Sequence, residues 1–520
     1  MFWADRIAKE IINSKKYKPY SVDEMFTPSG FIHIGNLRGS LVHDLMYKAL
    51  RDAGENPIFT YVLNDFDPID GLPDDLQEFS KYLGVPLRNV PWKDKSYESF
   101  GDYFASDMKN TLKKFGVEPK FLSSWDMYHE GKFNEVIKIA LDNTTEIQNI
   151  YHEVSGSQKK AQGWYPLQVI CPKCGKLGTT RVYDWDGETV AFKCEPSMVT
   201  WAQGCGYDGK ISPFDGNGKL PWKVDWPAHW KVIGVTVEGA GKDHSVAGSS
   251  RDIARELCKR VFKIEEPFNI PYEFFTIGGK KMSSSKGVGL KAHDLFDLLP
   301  AEVGRFLYCR TEYKQEVNFD PFETMAIPDL FDEYDRCYVS YIESTDETFA
   351  RAFELSQINK LPPKEKTFLP RFIDVVNYIQ QPTIDIKQRF AEIKGETLNE
   401  IEIEILEERI KYAKVWLELY APDKYKFQMT TNISQLAETL LDDQKKYLKE
   451  IIPLIQQKMS AEDLQIKLYE LSKEKGLEPK KAFGAIYIAL IGKESGPKAG
   501  WLLQQYPADK IIGRIEEVIK

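Results

Sequence analysis

The sequence predicts an α/β protein with a parallel, Rossmann-like sheet built in two halves. A cysteine-bearing insertion lies between the halves, and an all-α region follows. Three observations predict this. Strand-like and helix-like runs alternate over residues 1–70 and again over about 215–290, a pattern that implies parallel βαβ units. Mixed signals fill residues 71–214, which carry four of the seven cysteines. Beyond about residue 340 the strand signal nearly vanishes. A chain of 520 residues is also too long for one core.

The elements follow in order. Met1 to Lys16 sets Phe2, Trp3, Ile7, Ile11 and Ile12 among Asp5, Arg6, Lys9 and Glu10. That is an amphipathic helix, not a signal peptide. A strand is expected over Tyr20–Phe26. The loop Pro28-Ser29-Gly30-Phe31-Ile32-His33-Ile34-Gly35-Asn36 then feeds a helix with Leu37, Leu41, Leu45 and Ala49 on one face and Gly54 as its stop. A helix N-terminus offers unpaired N–H groups and a positive dipole end, which suit a phosphate. His33 and Asn36 add side-chain donors there. A second strand, Pro57–Leu63, ends in Asn64-Asp65-Phe66-Asp67-Pro68. Ligands in such sheets sit beyond the carboxyl ends of strands. No G-x-x-x-x-G-K-[ST] occurs, and Gly239-Ala240-Gly241 lacks the third glycine of a dinucleotide fingerprint.

In the insertion, helical stretches over Phe100–Phe115 and Gly131–Glu153 flank a short strand, Lys120–Ser123. Cys171-Pro172-Lys173-Cys174 follows, with Cys194 after nineteen intervening residues and Cys205 after ten more. A C-x-x-C knuckle plus two nearby cysteines can close a tetrahedral thiolate site for structural zinc, although the last spacing is irregular. Cys258, Cys309 and Cys337 sit in apolar helical contexts and read as core. An odd cysteine count argues for a reducing compartment, hence a cytoplasmic protein.

Trp222-Lys223-Val224-Asp225-Trp226 leads to an expected strand, Lys231–Glu238, and to the loop Gly239–His244. Ser249 and Asp252 form a capping-box-like start for a helix through Phe262. A strand-like run, Tyr272–Ile277, and a Gly278-Gly279 turn precede Lys280-Lys281-Met282-Ser283-Ser284-Ser285-Lys286-Gly287. Three lysines and three hydroxyls on one loop fit a polyphosphate of changing charge. Most single Lys-Ser runs are solvated loops, so the pairing with the His33 stretch carries the weight.

Helical runs are expected over Leu398–Leu419, Ile433–Ile455 and Ala461–Lys475. No run is long and apolar enough to span a bilayer. A net charge of −9 does not suggest a nucleic-acid binder, but the footprint of one is local.

Together the His33 and Lys281 stretches resemble the HIGH and KMSKS signatures of class I aminoacyl-tRNA synthetases. Asn36 replaces the second His, and Ser284 replaces the second Lys. The chain is most similar to the class I lysyl-tRNA synthetase family, in which Asn and Ser commonly fill those positions. The resemblance extends to Trp3–Ala8, Val224–Ala228, Gly241–His244 and Gly492-Lys493-Glu494-Ser495-Gly496-Pro497. It implies lysyl-adenylate formation from L-lysine and ATP with Mg²⁺, then transfer to the 2′-hydroxyl of the terminal adenosine of lysine tRNA. Positioning and charge stabilisation would supply the rate. Pro28, Gly30, Gly35, Asn36, Lys281 and Met282 would hold ATP, with His33, Asn36, Lys281, Ser283, Ser284 and Ser285 acting in catalysis. Asp65, Trp222, Glu238 and His244 are candidates for the lysine site, since an ammonium needs a carboxylate or an aromatic face. Residues 88–110 contain no Cys or His, so one zinc at most is expected. Residues 291–340 would contact the tRNA stem, and 341–520 would form an anticodon-binding domain. There Trp416, Tyr420, Tyr425 and Phe427 lie near Lys411, Lys414, Lys424 and Lys426, a mixture that suits single-stranded bases, although most of these aromatics taken singly are expected to pack in the helical core. A glutamyl or arginyl enzyme would share both signatures. An idle zinc-containing RNA-binding paralogue is the other alternative, against which intact His33, Gly35 and Lys281 argue.

Overall fold

The computed structural model describes residues 1–156, 163–282, 289–381, 384–457 and 459–520. The chain divides into two compact units, 1–320 with 336–364, and 321–335 with 365–520.

In the first unit, helix α1 (Trp3–Ser14) buries Trp3, Ala4, Ile7, Ala8 and Ile11, the apolar stripe read from the sequence. Strand β1 (Ser21–Phe26) and, after helix α2 (Leu37–Asp52), strand β2 (Ile58–Leu63) pair in parallel. Strand β3 (Lys120–Ser123), expected inside the insertion, instead extends this sheet parallel to β2. On the other side of β1 the helix Trp222–Ile233 takes up the start of the expected strand Lys231–Glu238, and within that strand only Val237 keeps a strand's pairing. Residues 224–230 are buried all round, and without a polar face neither a period of 2 nor one of 3.6 can be read.

Val237 bridges Val22 on one side and Phe268 on the other, both in parallel. The Asp23 N–H donates to Val237 O (3.1 Å), and the Phe268 N–H donates to Thr236 O (2.8 Å). The spatial order is therefore β3, β2, β1, the Val237 segment and the Phe268 segment. That is the doubly wound 3-2-1-4-5 arrangement. Its switch point lies between β1 and Val237, where a crevice opens at the carboxyl ends.

The insertion carries an antiparallel sheet of Thr180–Trp185, Val190–Cys194 and Asp208–Ile211. Further on, Phe275–Ile277 and Lys280–Lys281 make a hairpin. Gly278 and Gly279 both have positive φ (55° and 73°), which a two-residue turn of this kind demands. The helix expected from Ser249 runs Ser250–Leu257, and Asp252 accepts from Gly248 N–H rather than from Ser249.

The second unit is largely helical. Asp442–Gln456, Ala461–Glu474, Pro479–Ile491, Ala499–Gln504 and Ala508–Ile519 pack around a core including Leu448, Leu468, Ile486 and Ile515. Two of the four aromatics, Trp416 and Phe427, belong to the interior, in line with the core packing expected of most of them. Trp416 is 1% exposed and Phe427 packs against the bundle core; a large apolar ring gains more from burial than from waiting for a base. Lys493 of the Gly492–Pro497 stretch is structural too, since its ammonium donates to the Lys426 carbonyl (3.0 Å) and to that of Asp423.

Candidate active site

At the switch point lies a cavity of about 730 Å³. Its walls come from the end of β1 (Glu24, Met25, Phe26), the following loop (Thr27, Ser29, His33, Gly35, Asn36), Glu238–Gly241, Tyr272, and Lys281 with Met282. The two signature stretches, some 250 residues apart in sequence, are brought to one cavity, and backbone bonds tie the first to residues just past the second. The Ile34 N–H donates to Leu290 O (3.0 Å) and the Ala292 N–H donates to Ile32 O (2.8 Å). Met282 closes the joint. It is 6% exposed, and a Cβ on Gly35 would stand 2.9 Å from its Cε and 3.0 Å from the His33 ring. Gly35 is thus required by close approach. Ser283, Ser284 and Ser285 lie outside the described residues.

His33 has a defined role in hydrogen bonding. Its Nδ1 accepts the Asn36 N–H (3.2 Å), and its own N–H donates to Asn36 Oδ1 (3.2 Å). Burial, helped by the nearby Lys281 charge, lowers its pKa to about 4. The imidazole is neutral at pH 7. With Nδ1 accepting, the proton sits on Nε2, which leaves one N–H donor. The Lys281 ammonium pairs with Asp243 (2.9 Å) and lies 4.0 Å from the centre of the Phe274 ring. Pro28 and Gly30 shape the turn and do not line the cavity, whereas Thr27 and Ser29 do.

The floor is acidic. Glu238 is 2% exposed and accepts from the indole N–H groups of Trp226 (2.6 Å) and Trp230. Burial still raises its pKa to about 7. Trp222 stacks on Trp226 (centroids 5.2 Å apart, planes 22° apart), with His244 at 5.4 Å. Three of the four residues expected at the lysine site therefore converge. Asp65 does not. It accepts from the Ser123 hydroxyl (2.7 Å) and the Trp125 N–H (2.9 Å), tying β3 to the following helix. Asp67 and Asp70, farther along the same loop, line the cavity instead.

Sequence reasoning missed Glu24 and Tyr272. Glu24 lines the cavity and bonds His43, a fully buried imidazole whose Nε2 accepts the Gly239 N–H (2.7 Å). A Cβ on Gly39 would lie 2.5 Å from Tyr272 Oη and 3.1 Å from a Glu24 oxygen, so those groups share one spot above α2. Glycine at position 39, on the buried face of a helix, was the only available hint.

In the insertion, the sulfurs of Cys171, Cys174, Cys194 and Cys205 lie within 4.8 Å of one another. Cys171 Sγ stands 3.6 Å from Cys205 Sγ, and Cys174 Sγ stands 3.7 Å from Cys194 Sγ. None is in a disulfide. Four thiolates about 2.3 Å from a tetrahedral zinc would be about 3.8 Å apart, so this set fits the metal.

Residues 1–359 match the family model described as tRNA synthetases class I (K), and residues 368–519 match the anticodon binding domain. The chain belongs to the class I tRNA synthetase family. Lysine–tRNA ligases are among the relatives it resembles over its whole length. The lysine–tRNA ligase of Archaeoglobus fulgidus is 31% identical over 524 residues, 100% of each chain. That of Methanosphaera stadtmanae is 32% identical over 98% of each. That of Methanosarcina barkeri is 34% identical over 99% of this chain and 97% of its own. Among the described residues no helix is long and apolar enough to cross a membrane.

Proposed function

We infer that this protein is a lysine–tRNA ligase of class I, which activates L-lysine with ATP and charges tRNA. One observation carries the reading. His33 and Asn36 of the first signature stretch and Lys281 and Met282 of the second line one cavity, and its floor is acidic. The floor also argues against a glutamyl enzyme, which must hold a carboxylate. Among the described residues each Lys or Arg lining the cavity is already engaged, Arg38 by the carbonyls of Tyr308 and Glu312, Lys219 by Asp67 and Asp225, and Lys281 by Asp243. Glu24, beside Tyr272 and the Trp222 stack, suits an ammonium.

In this reading His33 Nε2–H and Asn36 hold the ATP phosphates. Lys281 leaves Asp243 to meet charge that develops on departing pyrophosphate, with Ser283, Ser284 and Ser285 closing over it. Mg²⁺ on the nucleotide shares that charge. Glu24 and Glu238 set the electrostatics of the lysine side chain. Zinc on the four cysteines holds the insertion together. The unit ending in the anticodon-binding match reads the anticodon of lysine tRNA, and exposed Lys411, Lys414 and Lys424 are available for its backbone. The domain division 1–70 with 215–290, 71–214, 291–340 and 341–520 stands as a proposal, with β3 added to the catalytic sheet. A cytoplasmic location is proposed on the same footing.

The test is ATP–pyrophosphate exchange across the amino acids, with and without tRNA. Exchange driven by lysine supports the reading. Exchange driven by glutamate or arginine instead would replace it.

A further inference from the structure

The irregular ten-residue spacing between Cys194 and Cys205 builds a loop with a tryptophan at its far side. The ends of the loop are pinned together. The Cys205 N–H donates to Cys194 Sγ (3.3 Å), the Gly206 N–H donates to Cys194 O (2.9 Å), and a Cβ on Gly204 would collide with the Glu195 carbonyl. It is a small Ω-loop closed by two of the four clustered cysteines. Lys176 holds its return arm through the Gln203 carbonyl (2.9 Å). Just after the knuckle, the N–H groups of Leu177 and Gly178 donate to Gly84 O (2.7 and 3.1 Å), which ties this segment to the start of the insertion.

This places Trp201 in the wall of the catalytic cavity. Its ring lies against Gly178 so closely that a Cβ there would collide with it, and Pro68, another wall residue, packs at the same spot. The neighbouring wall is polar. Asp67 accepts from Lys219 (2.8 Å) and from Thr27 (2.9 Å), which directly precedes the phosphate loop. Asn64 is 7% exposed, and its buried Oδ1 has no hydrogen-bond partner among the described residues. Asp70 completes this side. Among the described residues the corner offers one aromatic face and several acceptors, and the cation beside it, Lys219, is spent on Asp67 and Asp225. It does not suit a phosphate. It suits a neutral planar base with an amino group and a ribose with hydroxyl donors.

We propose that Trp201 is the stacking platform for the terminal adenosine of the tRNA, with Asn64 and Asp70 as acceptors for its base or ribose. The proposal rests on the ligase reading above. It also gives the cysteine cluster a function beyond folding, since the cluster closes the loop that carries the platform.

The test uses full-length protein and two forms of its tRNA, intact and lacking the terminal adenosine. Dissociation constants are measured by filter binding at one salt concentration, for the parent, Trp201→Ala and Trp201→Phe. The parent is expected to favour intact tRNA. Stacking losses on alanine substitution suggest that Trp201→Ala shrinks this preference about tenfold, while Trp201→Phe retains most of it. Quenching of tryptophan emission by intact but not shortened tRNA, lost in Trp201→Phe, gives a second readout. A Trp201→Ala protein with the parent's preference for intact tRNA overturns the proposal. So does one that loses lysine affinity instead, since Trp201 would then wall the amino-acid pocket. A parent that fails to exchange pyrophosphate with lysine would sink the ligase reading itself, which is a separate result.

Discussion

Replacing Gly39 with alanine separates the cavity floor from the stability of the fold. Gly39 is in the first turn of α2, where alanine is up to about 1 kcal/mol more favourable than glycine. The new methyl, however, would lie 2.5 Å from Tyr272 Oη and 3.1 and 3.2 Å from the two Glu24 oxygens. An ordinary C···O contact is about 3.3 Å, so the phenol must retreat by roughly 0.8 Å and the carboxylate by roughly 0.2 Å. Glu24 cannot retreat freely, because buried His43 holds it and is itself held by Gly239 N–H. A displacement near 1 Å in a positioned group costs up to about 100-fold in rate. The kcat/KM for lysine is therefore expected to fall roughly 10- to 100-fold, or about 1.4 to 2.7 kcal/mol, with Tm unchanged or higher. Pyrophosphate exchange with lysine titrated at saturating ATP reads the first quantity, and a thermal melt reads the second. The Tyr272→Phe background sharpens the test, because removing the hydroxyl relieves the collision and Gly39→Ala should then cost much less. Lysine kinetics within twofold of the parent would show that this corner does not touch the amino acid.

Three further outcomes are expected. His33→Ala should lower adenylate formation about 100-fold with the fold intact, by loss of a transition-state donor; normal exchange rates would remove His33 from the mechanism. The same variant carries a pH signature. Folded His33 titrates near 4 and an unfolded histidine near 6.5, so the unfolded chain binds more protons between these values and stability falls as pH drops through that window. His33→Ala should lose less stability there, as melts at pH 7 and pH 4.5 would show. Lys281→Ala should slow activation more than it weakens lysine binding; a large effect of Lys286→Ala with none for Lys281→Ala would reassign the lysine. Metal analysis should return one zinc per chain, and Cys174→Ser should release it and lower Tm; a metal-free, fully stable parent would refute the site.

The sequence by itself determined what depends on neighbours along the chain. The period of α1 and α2, the strands β1 and β2, the Gly278-Gly279 turn and the cysteine knuckle were legible because helix and turn geometry repeats within a few residues. The two signature stretches were legible only as a pair, through their resemblance to the signatures of a known family. Only the tertiary structure decided which side chains share a space. Asp65 and Asp67 are two residues apart in one loop, and nothing local says which faces the cavity. Ser123 and the Trp125 N–H claim Asp65, while Thr27 and Lys219 bring Asp67 to the wall. Glu24 and Tyr272 carry no motif; they meet because parallel strands far apart in sequence end at the same edge. The start of the expected strand at Lys231 was misplaced because the helix before it is buried on all sides over residues 224–230, which erases the polar face that marks a period. The state of His33 also belongs to the fold, since burial and one backbone N–H fix its charge and its tautomer. The physical reason is common to all of these. Local propensity acts over a few residues, whereas burial, ion pairing and close approach are settled by atoms that the chain brings together from hundreds of residues away.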